Sequence, residues 1–257
     1  MTKHIIYENY TFSVERENEM LSNRAITLSQ TNCYLLKAND GYLLIDCGNA
    51  SDKQSFLSNL GKLGIALADI SHLFLTHHHN DHSGLLHFMI SANPKIQVIM
   101  SSKCAEYLKT GTHYKHRDEK YSNHALRLML KIYSCLNRDW SENFVPYFTR
   151  GSDIILDQDN DYILSELGVD GRILLTPGHT DDSISIVTNK AAFVGDAARN
   201  MLNFTGTPYH PILLYDLAAC YESWVKLINT GVSTIYPSHG KPFDSERLKI
   251  LCNHPME

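Results

Sequence analysis

The sequence predicts a layered α/β fold, and three observations predict it. Residues 31–100 alternate strand-like apolar runs with helical ones. From residue 152 onward a ladder of short apolar runs, separated by turns rich in Asp, Asn and Gly, reads as a second sheet. Within the first of these stretches, Thr76-His77-His78-His79-Asn80-Asp81-His82-Ser83-Gly84 follows a strand-like run directly, and open α/β sheets place their sites at the carboxyl ends of strands.

Taken in order, residues 4–14 alternate loosely and predict a first edge strand. Residues 31–37 and 42–46 flank Asn39-Asp40-Gly41, and Asp-Gly between two apolar runs signals a hairpin. Ser51 and Asp52 suit the start of a helix whose Phe56, Leu57, Leu60 and Leu63 share one face, with Gly61 and Gly64 ending it. Residues 70–75 predict a buried strand. The histidine-rich turn and a helix from about 83 to 92 follow, and Pro94 breaks the chain before a further strand at 96–100.

Residues 101–150 behave differently. They show helical runs, with Leu126, Met129, Leu130 and Tyr133 on one face of residues 124–137, and no strand pattern before 144–148. Nine basic against five acidic side chains leave this stretch at +4, so the remainder of a chain of net charge −5 stands at −9. The stretch reads as an inserted helical lid in a single domain of 257 residues. An ordinary solvated decoration is the plainer alternative.

Beyond it, short strands are expected at 154–156, 162–164, 172–175, 183–187 and 191–194, all in the second sheet. A helix is expected over 213–229, with Leu217, Tyr221, Trp224 and Ile228 on one stripe and Gly231 past its end. A strand at 233–236 and a last helix at 245–252, capped by Asp244, complete the chain.

Composition narrows the function. Hydrophobic residues make up 43% and charged residues 20%, ordinary for a globular protein. A net charge of −5 and a pI near 6.3 point to neither nucleic acid nor an anionic membrane. No apolar run approaches the ~18 residues of a membrane span and no signal-like segment opens the chain, so a cytoplasmic location is expected. The six cysteines form no C-x-x-C pair and read as reduced thiols.

The chemistry lies in His77, His79, Asp81 and His82, spaced H-x-H-x-D-H. Neutral imidazole and carboxylate are ligands that zinc prefers and that iron and manganese accept. In an extended chain His77, His79 and Asp81 share one face and His82 does not. In a turn leading into a helix, Asp81 and His82 swing towards a second centre, so the spacing favours two adjacent metals. A solvated histidine-rich loop is the plain alternative. Adjacent histidines between two apolar elements, with an interposed acid, speak against it.

Here the chain resembles the metallo-β-lactamase-fold hydrolases over most of its length. His77 to His82 match the H-x-H-x-D-H signature of that family. Thr176-Pro177-Gly178-His179-Thr180 is similar to its T-P-G-H-T segment, Gly195-Asp196 to its G-D segment, and Pro237-Ser238-His239-Gly240 to its P-x-H-G segment, in family order. The resemblance implies a four-layer αβ/βα sandwich of two mixed sheets flanked by helices. It implies two metal ions, zinc first with iron or manganese as alternatives. His77, His79 and His179 would hold one ion; Asp81, His82 and His239 the other; Asp196 would bridge them. Asp46, in a D-x-G after the second strand of the hairpin, would support the metal loop from behind.

The implied activity is hydrolysis of an ester-type bond (phosphoester, thioester or lactone) by a metal-bridging hydroxide, with Asp81 orienting it and passing on a proton. His78 and Asn80 are expected to point away from the metals. Lactonase-like members often carry a tyrosine three residues after the bridging aspartate; here Arg199 stands there, which lowers that reading. The alternatives are an iron-dependent persulfide-oxidising enzyme on the same ligands and a non-catalytic sensor. Arg199, Tyr209 and His210, just after Asp196, are expected to line the substrate pocket. Lys115, Arg117 and Lys120 of the basic insert would attract a small anionic substrate, with Tyr107, Tyr114 and Tyr121 beside them. A homodimer is one open option for the assembly.

Overall fold

The computed structural model describes residues 25–114, 117, 119–136 and 143–256; the strand expected over residues 4–14 lies outside them. The first half of the fold is built on β1 (Ala25–Thr27), β2 (Asn32–Ala38), β3 (Gly41–Ile45), β4 (Ile70–Phe74) and β5 (Gln97–Ser101). Helix α1 (Lys53–Lys62), the single turn α2 (Asn80–Ser83) and α3 (Leu86–Ala92) interleave with them. The β2–β3 register pairs Ala38 with Gly41, which leaves Asn39-Asp40 as a two-residue hairpin loop. β3, β4 and β5 run parallel.

The period of two along each strand splits the core in two. On the outer face Leu44 of β3 and Leu73 of β4 pack with Phe56 and Leu60 of α1 and Met89 of α3. On the inner face Leu43, Ile45 and Phe74 meet the other sheet.

After β5 come α4 (Ser102–Leu108), β6 (Lys120–Tyr121), α5 (His124–Leu136) and β7 (Ile154–Leu156). The second half adds α6 (Ile163–Glu166), β8 (Gly171–Leu175), β9 (Ile184–Thr188), β10 (Ala191–Gly195), β11 (Leu213–Leu214), α7 (Leu217–Asn229), β12 (Thr234–Pro237), β13 (Phe243–Asp244) and α8 (Glu246–Asn253). One sheet has the order β1-β2-β3-β4-β5-β7 and the other β13-β12-β10-β9-β8. Both mix parallel and antiparallel pairs. Ile173, Ile186, Phe193 and Tyr236 face the first sheet, while Ala192, Val194 and Ile235 pack outward on Trp224 and Leu227 of α7 and Leu248 of α8. Helices, sheet, sheet and helices give the four-layer sandwich that the resemblance implied. No helix among the described residues is long and apolar enough to cross a membrane.

Four local expectations are corrected. Residues 154–156 do not join the second sheet: β7 runs parallel to β5 at the edge of the first, with Ile99 opposite Ile154. Asp153 anchors this placement by accepting from Arg150 on one side and from the Val98 amide on the other. Residues 162–164 enter the short helix α6, because the Asn160 carboxamide oxygen accepts from the amides of Tyr162 and Ile163 and starts a helical turn. Residues 213–214 form β11, and helix α7 begins only after Asp216, whose carboxylate accepts from Ala219 N at 3.0 Å. Residues 144–148 form no strand; Asn143 makes a single bridge to Thr112, and Pro146 cannot donate to a ladder.

The 101–150 segment is fastened to the second half. β6 pairs antiparallel with β11. Asn123 caps α5 by accepting from Leu126 N at 2.9 Å and donates to Thr207 Oγ1 at 2.6 Å, so one carboxamide starts the helix and docks it on the loop that follows β10. Leu128 and Ile132 of α5 are exposed.

Candidate metal centre

The expected ligands follow the carboxyl ends of four strands. His77, His79, Asp81 and His82 come after β4, His179 after β8, Asp196 after β10 and His239 after β12. β4 belongs to one sheet and the other three to its partner, so the side chains converge at one edge of the sandwich. Gly195 permits the tight exit from β10: its φ is +54°, and a Cβ there would meet Thr76 Oγ1 at 2.5 Å.

Two sets of donors form, with Asp196 between them. The ligand atoms of His77, His79 and His179 lie within 4.8 Å of one another, and so do those of Asp81, His82 and His239. Nδ1 of His79 faces Nε2 of His179 at 3.1 Å. Asp196 Oδ2 stands 3.6 Å from His179 Nε2 and 3.2 Å from His239 Nε2, and its Oδ1 stands 3.3 Å from His82 Nε2. Asp81 Oδ2 is 3.2 Å from His239 Nε2. The single-turn helix α2 carries Asp81 and His82 into the second set, and the two sets adjoin: the His82 ring lies 4.1 Å from that of His77, and the ligand atoms of His77, His82 and Asp196 also fall within 4.8 Å of one another.

Four of the five histidines are held by their rear nitrogen. His82 Nδ1 donates to Asp46 Oδ2 at 2.8 Å, His179 Nδ1 to the Leu213 carbonyl at 2.8 Å and His239 Nδ1 to the Gln30 carbonyl at 2.8 Å. His77 Nδ1 donates to Thr76 Oγ1 at 3.0 Å, and that hydroxyl donates on to Asp46 at 2.8 Å. Each bond fixes a tautomer that turns the Nε2 lone pair inward, which is how proteins orient imidazole ligands. Asp46 accepts further from Thr76 N at 2.8 Å and Ser238 Oγ at 3.2 Å. One buried carboxylate thus ties the end of β3 to the β4 loop and the β12 loop. Its φ of 57° lies in the left-handed region, which aspartate tolerates.

The electrostatics differ between the two sets. Burial, and then the neighbouring imidazoles His82 and His179, push His77 well below the ordinary histidine range; burial and His77 do the same to His79. Both are therefore neutral, the form that ligates. On the other side burial pushes the Asp81 carboxyl up, but His82 and His239 beside it outweigh this and hold it at about 2. Burial likewise lowers His239, and the carboxylates of Asp196 and Asp81 outweigh it, raising it to about 10. Two carboxylates packed against buried imidazoles call for positive charge, supplied by protons or by a cation.

The donor set fits divalent metal. His77 Nε2, His82 Nε2 and Asp196 Oδ1 are buried without a hydrogen-bond partner among the described residues; the last two are 3.3 Å apart but not aligned for one. Orphaned polar atoms in a buried place are costly unless something binds them. Nitrogen and oxygen donors of this kind suit zinc, iron or manganese.

Sequence reasoning gives three residues no part in holding the ligands, although His113, with His116 and His124, is among the donors that it places in the basic insert. Thr76 relays His77 to Asp46. Asp182 accepts from His78 N at 2.9 Å and from His78 Nδ1 at 3.0 Å, which turns His78 away from the centre. His113, from the insert, stacks on His79 with ring centroids 3.6 Å apart. Thr76 adjoins the motif, so a hydroxyl next to the first ligand was a usable signal. The partners of Asp182 and His113 are distant in sequence and gave none.

The residues expected to contact substrate fare differently. Arg199 is 1% exposed; its guanidinium donates to the carbonyls of Met201 and Thr207. His210 is 1% exposed, with Nδ1 facing the Pro208 carbonyl and Nε2 the Tyr221 hydroxyl, and its ring packs on Trp224. The Tyr209 ring lies against Phe243. For Arg199 and His210 this corrects the expectation: their side chains serve buried carbonyls of the 199–211 loop and, through His210, hold it to α7; half-buried Tyr209 ties the loop to β13. Arg117 and Lys120 are exposed, and Lys115 lies outside the described residues.

Comparisons with known proteins agree with this geometry. The family model described as the metallo-beta-lactamase superfamily matches residues 26–239. The beta-lactamase-like protein 2 homolog of Drosophila melanogaster is 24% identical over 234 residues, covering 90% of this chain and 66% of its own. A metallo-beta-lactamase family protein from Thermus thermophilus superimposes with a TM-score of 0.62 at 19% identity, over 90% of this chain and 77% of its own. An archaeal superfamily protein from Sulfolobus tokodaii gives 0.58 at 19% identity, over 87% and 79%. The chain spans 53% to 66% of the length of the curated relatives it matches. With the family match running from β1 to His239 and taking in every expected ligand, the chain belongs to the metallo-β-lactamase superfamily.

Proposed function

We propose that the chain is a metal-dependent hydrolase with two metal ions, zinc in the first instance, that cleaves an ester-type bond of a small substrate. The observation that carries this reading is the position of Asp196, whose Oδ2 faces both His179 of one set and His239 of the other while its Oδ1 faces His82. Two divalent ions bound there would supply the chemistry of lowering the pKa of water towards neutrality and polarising a substrate oxygen.

The chain's own residues do the rest. His77, His79 and His179 would hold one ion, Asp81, His82 and His239 the other, and Asp196 both. Asp81 is the more open of the two carboxylates, its side chain 20% exposed against 10% for Asp196. It is placed to orient the nucleophile and to take its proton. Asp46 and Thr76 keep the imidazoles aimed. The +4 charge of the insert supports an anionic substrate, with Arg117 and Lys120 as exposed donors.

The test is elemental analysis of protein purified without chelator, joined to an absorption spectrum and a panel of phosphodiester, thioester, lactone and β-lactam substrates. We expect close to two zinc ions per chain, no visible absorption, and turnover of one ester class that chelator abolishes. One ion per chain with no gain on adding zinc overturns the dinuclear reading. Bound iron with visible absorption and no hydrolysis assigns redox chemistry instead. Neutralising Arg117 and Lys120 should lower kcat/KM for an anionic substrate more than for a neutral one with the same scissile bond, and less so at high salt; equal effects sink the anion preference.

A further inference from the structure

We infer that His113, carried by the 101–150 segment, is a positioning residue for the metal ligand His79. The inference rests on the two-metal reading above and adds to it a residue outside the four ligand segments.

Three observations point there. The His113 ring lies on that of His79 with centroids 3.6 Å apart and an interplanar angle of 34°, and it meets His78 edge-on at 5.7 Å. The next residue fixes it: Tyr114 N donates to His78 Nε2 at 3.2 Å, and the Tyr114 ring stacks on Tyr107 at 4.4 Å and 6°. Tyr107 in turn donates to Asp181, which Lys103 of α4 also pairs. The preceding turn is set by Gly111, whose φ is +68° and where a Cβ would meet Pro146 Cγ at 2.7 Å and the Phe144 carbonyl at 2.9 Å. The chain after His113 is therefore held to the ligand loop, and the chain before it to residues 143–146.

This matters because His79 is supported unlike its companions. Its Nδ1 faces His179 Nε2, so that nitrogen serves the metal, and its Nε2 is buried without a hydrogen-bond partner among the described residues. His77, His82, His179 and His239 are each oriented by a bond from the rear nitrogen; His79 has the flat face of His113 instead. Stacking restricts rotation about the ring's side-chain bonds and so stands in for the missing hydrogen bond.

Ligand atoms of His78, His79 and His113 also fall within 4.8 Å of one another. Stacking explains this better than a third metal. His78 is committed through both nitrogens, to Asp182 and to Tyr114 N. Imidazole lone pairs lie in the ring plane, so two rings stacked within 34° of parallel do not aim at a common point.

The experiment measures zinc stoichiometry and affinity by chelator competition on wild type, His113→Ala and His113→Phe, with His77→Ala as control and circular dichroism to report folding. Phenylalanine keeps an aromatic face and removes both nitrogens. We expect His113→Ala to bind one of its two zinc ions about tenfold more weakly, and His113→Phe to stay close to wild type. An unchanged affinity in a folded His113→Ala overturns the inference. So does a His113→Phe variant as weak as His113→Ala, which would make the nitrogen the active part. Should His77→Ala lose no zinc, the two-metal reading itself fails, and that result is separate.

Discussion

Asp46 Oδ2 lies 2.8 Å from His82 Nδ1, and the same carboxylate receives the Thr76 amide at 2.8 Å. One side chain behind the centre thus positions both ends of the H-x-H-x-D-H turn. Asp46→Asn tests its charge, because asparagine is as much at ease at a φ of 57° and keeps the turn. The variant should fold and bind zinc about 10- to 100-fold more weakly, the usual cost of losing a carboxylate behind an imidazole ligand. Chelator competition measures it. An affinity equal to wild type would show that Asp46 only closes a turn.

Thr76 joins the two metal sets from the other side. Its hydroxyl accepts from His77 and donates to Asp46, and its side chain packs where a Cβ on Gly195 would sit. Thr76→Val keeps that packing and removes the relay; Thr76→Ser keeps the relay. Valine should weaken zinc binding by about tenfold and serine should not. If serine weakens it and valine does not, packing on Gly195 is the active part.

Much of this centre was legible in the sequence because it is coded locally. His77 to His82 share one turn, and His179, Asp196 and His239 each follow an apolar run that becomes a strand. The hairpin at Asn39-Asp40 follows from a short-range pattern as well. What failed was read from short apolar runs alone. Tyr162-Ile163-Leu164 fits a strand or a helix equally, and only the Asn160 cap decides it. Residues 213–214 precede the true cap at Asp216 and pair with β6, more than 90 residues away. The stack of His113 on His79, and the burial of Arg199 and His210, depend on how distant segments close, which no local pattern carries.

Asp196 is the member whose loss should reach both metals. Asp196→Ala leaves His82 and His239 facing His179 without the shared anion. Bound zinc should fall from two ions to one or fewer, and hydrolysis should fall by orders of magnitude, while far-ultraviolet circular dichroism stays native. Normal metal content with near-normal turnover would remove Asp196 from the bridging role.

His210 gives the fold a pH dependence of its own. Burial pushes it down to about 4 from an ordinary 6.5, with the Pro208 carbonyl pulling the other way and Arg199 adding to the depression. Between those values the unfolded chain binds a proton that the folded chain refuses. Stability is therefore intact above pH 6.5 and is lost as pH falls towards 4, by about 2 kcal/mol between pH 7.5 and pH 5. Metal ligands also titrate over this range, so wild type alone cannot isolate the effect. His210→Gln removes the titrating group, retains an amide donor near Tyr221, and leaves the ligands untouched. Urea unfolding of both proteins at the two pH values, at equal zinc, cancels the metal contribution in the difference. The variant should be less stable than wild type at pH 7.5, and the gap should shrink or reverse at pH 5. A gap that is the same at both pH values would mean that His210 enters the fold with its proton affinity unaltered.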